Sequence, residues 1–267
     1  MDEKEVTEVA IEILKERSKD IYDDGLKPAT KEGGEALQAI VGLFNNVVLY
    51  PIKKANLSFK YKLEQFEEDL KMKIDKIPDE KFIEPPLNIS GPTIEALKYT
   101  FDTKELREMY LNLLSSSMSS DTLKLAHPSY VEIIKAMTSL DANIFKKASK
   151  EIRNIPAARI TITFGTNSTF THAAPTIFAP DLLVNSDPFL VSSSIENLCR
   201  LGILTHLDVG IKGYDYDKFK KHPFIQQQLG IYKRAHPELD LNIHVSNHVI
   251  FVSDFGKNFA DVCVNKS

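Results

Sequence analysis

The sequence has no tryptophan and only two cysteines, Cys199 and Cys263, among its 267 residues. No CxxC pair or cysteine–histidine spacing accompanies them, so we expect neither a disulfide framework nor a structural zinc site. The first twenty residues are charged and periodic, which argues against a signal peptide. A reducing compartment fits this composition. We therefore expect a cytoplasmic protein, with membrane association on activation as an alternative.

The motifs of common catalytic centres are also missing. Neither GxSxG nor HExxH occurs. The serine-rich run at 115–120 is interpreted as a solvated helix end, because serine favours caps and turns. The lone DxD of Asp215 and Asp217 lacks the other oxygen ligands of a calcium loop.

Two histidines, His244 and His248, have the four-residue spacing that lets a helix hold a metal ion. They flank a predicted turn instead of sharing a helix, so we interpret them as exposed. No catalytic residue, metal ligand or cofactor is predicted. A non-enzymatic function is the leading expectation, and an enzyme whose site is assembled from distant residues is an alternative.

The charge balance argues against a nucleic-acid partner. The formal net charge is −4, and residues 192–267 carry nine Lys or Arg against eight Asp or Glu, a difference of +1. Strong phosphate binding requires a larger excess of cations. Arg200 and Lys257 are the weak nucleic-acid candidates of this region.

The N-terminal third is predicted to be helical. One helix is expected over residues 4–20, and another over the apolar stretch 36–50, where Gln38, Gly42 and Asn45 form one narrow polar stripe. Such a helix must be buried in a core, in a partner or in a membrane, although 15 residues are fewer than the ~20 that cross a bilayer. An amphipathic helix follows over 56–76. The interaction candidates of these helices are Leu37, Val41, Phe44, Asn45, Val48, Phe59, Phe66 and Leu70.

The segment EPPLNISGP, residues 84–92, predicts a rigid extended strap. Proline fixes φ and disfavours helical geometry in the preceding residue, so Glu84 and Gly91 are expected to bound helices. Pro92 then fits the first turn of the next helix. Further helices are predicted at FDTKELREMYLNLL, HPSYVEIIKAM and TSLDANIFKKASKEI.

The C-terminal third has mixed α and β character. ARITITF predicts a strand, SSSIENLCRLGIL a helix, and residues 241–245 and 249–252 a hairpin around Ser246 and Asn247. With a closing helix from Asp254, this order is typical of a winged-helix-like module. The predicted fold is α+β and predominantly helical, with regions 1–83, 84–156 and 157–267.

Several stretches resemble the bacterial abortive-infection alpha family. They are EPPLNISGPTIEALKYT, ELREMYLNLLSSSM, HPSYVEIIKAM, SLDAN, NLCRLGIL and VSDFGKNFADVCV. The resemblance extends from residue 36 to 264 and is strongest over 84–142. Its motif candidates are Pro85, Pro86, Gly91, Pro92, Arg107, His127 and Pro128.

The resemblance implies a role in defence against bacteriophage, in which the infected cell stops growing or dies before phage can spread. It carries over no catalytic motif. We expect an effector or sensor that acts as a homo-oligomer through contacts with a phage or host protein, with membrane contact as an alternative. A winged-helix regulator that binds nucleic acid is the other function class.

Overall fold

The computed structural model describes residues 31–49, 58–150, 154–165, 168–170 and 173–264. Its contacts separate two compact units, which are Met1–Ala136 with Asp261–Ser267, and Met137–Ala260. The three-part division stays a prediction, and its inner boundaries at 84 and 157 each lie inside one unit. The helix expected over 4–20 lies outside the described residues.

The described part of the first unit is helical, as predicted. Its helices are α1 (Lys31–Phe44, continued by a π-helical turn Asn45–Leu49), α2 (Ser58–Ile74), α3 (Leu87–Thr100), α4 (Lys104–Ser117) and α5 (Ser129–Lys135). Short 3-10 turns lie at Asp79–Lys81 and Leu123–Leu125.

The second unit combines helices with a sheet. Its elements are α6 (Ser139–Lys150), β1 (Ile155–Phe164), β2 (Ser168–Phe170), α7 (Pro188–Arg200), β3 (Leu204–Leu207), α8 (Pro223–Ala235), β4 (Leu241–Val252) and α9 (Asp254–Cys263), whose last residues belong to the first unit. Pro180–Leu182 and Tyr216–Lys221 form 3-10 turns. The predominantly helical α+β class is confirmed.

Aromatic packing organises the core of the first unit. The ring of Phe44 stacks on Phe66 with centroids 4.0 Å apart and meets Phe101 at 5.4 Å. Phe66 and Leu70 are four residues apart, so they project from one face of α2, and both are fully buried. The amphipathic pattern of α2 therefore serves the unit's own core.

The prediction of an extended strap over residues 84–92 is wrong. Helix α3 begins at Leu87, with Pro86 as its N-cap residue, and Pro92 lies inside the helix. Proline lacks the N–H that would bond the carbonyl four residues earlier, which belongs to Asn88. Asn88 is exposed, so that carbonyl lies near solvent. The backbone N–H of Ser90 donates to the Pro86 carbonyl at 2.9 Å, which closes the first turn.

The solvation predicted for the serine run at 115–120 is wrong for four of its five serines, and only Ser120 is exposed. Ser115 to Ser117 form the last residues of α4 and, like Ser119, are buried. The Ser116 hydroxyl donates to the Val262 carbonyl at 3.1 Å, and the Asn112 amide donates to the Cys263 carbonyl at 2.9 Å. The last carbonyls of a helix have no partners within the helix, so α4 side chains cap the end of α9.

The sheet of the second unit is antiparallel, with strand order β2-β1-β4-β3. β1 pairs with β4 along its whole length, from Ile155 opposite Ile250 to Phe164 opposite Leu241. The predicted hairpin is wrong, because Ser246 and Asn247 lie within β4 and pair with Arg159 and Ala158. Without that hairpin, the winged-helix-like assignment is not confirmed.

One face of β1 packs against an apolar cluster. Ala158 and Ile160 belong to a cluster with Phe178, Phe219 and Ile225, which lie in the 173–225 region.

At the end of β4, the chain turns into α9 so closely that a Cβ on Gly256 would lie 2.1 Å from the Ile203 carbonyl oxygen. This approach requires glycine at the start of the helix.

The aromatic core predicts the stability of one variant. Phe66→Ala removes a fully buried ring, and we expect it to lower the free energy of unfolding by about 3–5 kcal/mol, measured by urea denaturation. Met72→Ala on the same helix is the control, because Met72 is 60% exposed; its change should stay within about 0.5 kcal/mol. Equal effects of the two substitutions would contradict the described packing.

A second prediction concerns pH. The His222 Nδ1 accepts the Phe224 N–H at 3.3 Å and caps α8. Burial lowers the pKa of His222 from its ordinary 6.5. Below that pH the unfolded chain binds more protons than the folded one, so the free energy of unfolding falls as pH falls.

His222→Asn keeps a capping acceptor and removes the titrating ring. The variant should lose less stability than the parent chain between about pH 7.5 and pH 5, as followed by denaturation at each pH. An equal loss of stability in the variant and the parent chain would contradict the assignment of this pH dependence to His222.

Candidate functional sites

The first unit contains a groove of about 380 Å³ between α1, the segment before α3 and the start of α3. Most of its lining side chains are apolar, and two glutamates stand among them. The lining residues are Glu35, Ala36, Ala39, Ile40, Leu43, Phe82, Ile83, Glu84, Pro85, Leu87 and Ser90. Leu87 is 59% exposed, although it is a large apolar residue. The groove is therefore a concave and mostly apolar surface of this unit.

The predicted interaction residues are distributed between core and surface. Phe44, Phe66 and Leu70 are buried within the first unit, whereas Leu37, Val41 and Asn45 are half-buried. The side chains of Val48 and Phe59 lie outside what the structure describes. The role of all eight residues in association stays a prediction. The three buried ones contribute to folding through contacts in their own unit.

The residues of the family motif take structural positions. Pro85 is buried and lines the groove, Pro86 precedes α3, and Gly91 and Pro92 lie within α3. The Arg107 guanidinium lies over the Phe101 ring at 5.0 Å and donates to the Phe101 carbonyl at 2.9 Å. Its Nε lies 3.6 Å from Asp69 Oδ2, which joins α4 to α2.

His127 and Pro128 lie at the start of α5. The Nδ1 of His127 accepts the backbone N–H of Ser129 at 3.1 Å and lies 2.6 Å from the Ser129 hydroxyl oxygen. Pro128 occupies the N-cap position. These contacts give His127 a structural role at the start of α5.

The two nucleic-acid candidates have local partners. Both Nε and Nη2 of Arg200 donate to Asn197 Oδ1, at 3.2 and 2.7 Å. Lys257 forms an ion pair with Asp254 at 2.7 Å. Both cations are exposed, and binding to phosphate stays a prediction for them.

A second site lies at the β3 end of the sheet. His206 Nε2 lies 2.7 Å from His248 Nδ1, and Asp208 Oδ1 lies 3.4 Å from His248 Nδ1 and 3.9 Å from His206 Nε2. His248 is 4% exposed, His206 18% and Asp208 74% by side chain. The three donor atoms therefore meet where the buried His248 ring and the half-buried His206 ring approach the surface.

The sheet register explains this meeting. His206 pairs with Ile250 on β4, and Ile250 and His248 share a face because they are two residues apart. Continuing the register beyond Leu207 and Val249 places Asp208 opposite His248. Alternation along two strands thus directs both imidazoles and the carboxylate to one side of the sheet.

The loop after Asp208 is held against β4. The Tyr216 hydroxyl donates to the His248 carbonyl at 2.8 Å and accepts the Ile211 N–H at 3.0 Å. A Cβ on Gly210 would lie 3.0 Å from the Cβ of Asn247, so this loop approaches the strand more closely than most residues allow. Tyr216 and Gly210 therefore position the chain on both sides of the site.

Electrostatics at this site favour neutral imidazoles. Burial is the main cause that lowers the pKa of both His206 and His248, and the positive charge of Arg159 lowers both further. Asp208 opposes this shift at both rings, and Glu196 opposes it at His206. Neutral imidazole and carboxylate are the forms that ligate metal ions.

The sequence did not reveal this cluster. His248 was paired in sequence with His244, but His244 is exposed and His248 is buried. The expected exposure of His248 is therefore wrong. The partner that matters is His206, 42 residues away in the chain. The sequence contains an HxD pattern at 206–208. Only a strand assignment at 204–207 would have shown that these two side chains lie on one face of the sheet.

The cysteines are not arranged as a reactive pair. Neither forms a disulfide, and Cys263 is buried. Burial, with a smaller contribution from Glu196, raises the pKa of Cys199 to about 11. The Cys199 thiol is therefore protonated near neutral pH, which makes it a weak nucleophile.

No helix among the described residues combines the length and apolar character needed to cross a membrane. The π-helical turn after α1 contains Asn45 and Asn46.

Comparison with known proteins gives one assignment. A family model described as abortive infection alpha matches residues 58–263, most of the chain. The chain belongs to the abortive infection alpha family. No curated protein and no solved structure matches it. The family match contains the proline-containing start of α3, all of α4 and the whole sheet.

Proposed function

We propose that this chain is an abortive-infection protein of the cytoplasm, which stops growth of an infected cell before phage can spread. Membership of the abortive infection alpha family is the observation that carries this proposal. The protein acts as an effector or sensor through contacts with other protein chains. Its contact surface is the groove of the first unit.

The groove supports self-association for a geometric reason. Leu87 is exposed and stands at the edge of an apolar depression that contains Ala39, Ile40 and Leu43. In a two-fold dimer each surface meets its own copy, so a projecting side chain beside a recess is self-complementary. We propose that Leu87 of each copy occupies the groove of the other.

This surface differs from the apolar face first expected for oligomerisation, three of whose eight residues are buried. Phe44 and Phe66 stack on each other in the core, so they contribute nothing to an outer surface. Leu87 has no such engagement, because more than half of its surface is exposed. Burying a leucine side chain contributes about 1.5–3 kcal/mol, and a symmetric dimer buries two.

The defence role predicts the outcome of a phage challenge. A bacterial strain that carries the gene should form fewer plaques than a strain without it. At a high ratio of phage to cells its culture should stop growing, because infected cells do not survive. Plaque counts and growth curves at low and high phage ratios measure both effects. Equal plaque numbers with and without the gene, across a panel of unrelated phages, would contradict the proposal.

Leu87→Asp tests the contact surface in the same challenge. An aspartate at the first residue of α3 favours the helix dipole by about 0.3–1 kcal/mol, so loss of protection would not arise from helix unfolding. The matched control is Tyr99→Asp, which alters a 75% exposed residue of the same helix that does not line the groove. We expect the first variant to lose protection and the second to keep it.

Self-association itself is measured by sedimentation velocity over a range of protein concentrations. Leu87→Asp removes two buried leucines from the dimer and adds two carboxylates beside Glu35 and Glu84. We therefore expect the dissociation constant of the dimer to rise by about a hundredfold or more. Tyr99→Asp should sediment as the parent chain does. A monomeric parent chain, or a dimer that Leu87→Asp leaves intact, would exclude the groove as the self-association surface. Either result would leave the defence role to be judged by the plaque counts alone.

A further inference from the structure

The His206, Asp208 and His248 cluster contains the donor types of a transition-metal site. Two imidazole nitrogens and one carboxylate oxygen lie within 4.8 Å of one another. Divalent ions such as zinc accept this set, and catalytic zinc sites commonly use three protein ligands with a fourth position open to water. Their distribution over β3, its following loop and β4 means that the fold, not a local sequence motif, assembles them.

The separations require only a small adjustment. Two nitrogens bound to one tetrahedral zinc ion at ~2.0–2.1 Å lie ~3.3 Å apart. His206 Nε2 and His248 Nδ1 are 2.7 Å apart, so the rings would separate by a fraction of an ångström. Asp208 Oδ1, at 3.4 and 3.9 Å from these nitrogens, already stands near the distance of a third ligand.

We propose that His206 Nε2, His248 Nδ1 and Asp208 Oδ1 bind one zinc-type divalent ion, whose remaining coordination position holds an exchangeable water. The ion takes the place of the hydrogen that joins the two imidazoles. Each ring stays neutral and carries its single proton on its other nitrogen, His206 on Nδ1 and His248 on Nε2. Binding thus requires a change of tautomer in one ring and no net loss of a proton.

The open position follows from the exposure of the ligands. His248 is buried and closes the site from the interior, while the Asp208 side chain is 74% exposed. Water therefore reaches the ion from the Asp208 side. The site also has a rigid support, because the Tyr216 hydroxyl ties the His248 carbonyl to the loop after Asp208. Supported ligands of this kind bind metal more tightly than mobile ones.

Cobalt absorption provides the direct test. The untagged full chain is freed of metal with a chelator and titrated with Co²⁺, whose visible d–d bands report coordination by nitrogen and oxygen ligands. We expect bands that saturate at one ion per chain and disappear when Zn²⁺ replaces Co²⁺. Competition with a coloured zinc chelator then gives the zinc dissociation constant.

Substitutions are placed at the two ligands that are not deeply buried. Asp208→Asn keeps the size of an exposed side chain and removes the anionic ligand, and His206→Gln removes one imidazole. Each should raise the zinc dissociation constant by about tenfold or more, since even supporting residues change metal affinity by 10–100-fold. Thermal unfolding without metal checks that both variants fold.

His244→Gln is the matched control. This histidine lies on β4, four residues from His248 on the same face, and its ring is exposed. Its replacement should leave both the cobalt bands and the zinc affinity unchanged. An equal loss of affinity in this variant would show adventitious surface binding and overturn the proposal.

Azide tests the open position. Added to the cobalt-loaded chain, it should replace the bound water and shift the visible bands. Unchanged bands would overturn the exchangeable position. Absence of saturable cobalt bands, or folded Asp208→Asn and His206→Gln variants with the parent's zinc affinity, would overturn the site as a whole. These results are independent of the plaque and sedimentation measurements.

Discussion

The pairing of β1 with β4 is the constraint on which the second unit depends. Ten residues of each strand align, from Ile155 with Ile250 to Phe164 with Leu241. Because side chains alternate along a strand, this single register decides which residues enter the cluster around Phe178 and which lie on the opposite face. A slip of one residue would exchange the two faces. The separate pairing of β3 with β4 brings His206 beside His248.

In the first unit, side-chain hydrogen bonds to the last carbonyls of α9 add to the aromatic core. Asn112 and Ser116 donate to the carbonyls of Cys263 and Val262, so polar side chains of α4 are buried because they have partners. Buried polar groups stabilise a fold only when they are satisfied. The serine-rich sequence is the end of α4, and its Ser116 hydroxyl packs against the end of a second helix, α9.

The two candidate sites place different demands on the chain. The groove needs an apolar surface that stays exposed, and Leu87 provides it at the first residue of α3. The histidine cluster needs three separate segments held in register, and the sheet with Tyr216 provides that support.

The sequence by itself determined the α+β class, the family and most of the described helices, because apolar spacing of three and four residues and short motifs are local properties. It did not predict α8. It misplaced the start of α3, since a proline inside the first turns of a helix is tolerated where the deprived carbonyl lies near solvent. Only the tertiary structure decided that Ser246 and Asn247 continue a strand, because ten pairs with β1 outweigh their preference for a turn. The meeting of His206 with His248 depends on the pairing of β3 with β4, which the sequence did not indicate, since residues 42 positions apart carry no local sign of contact.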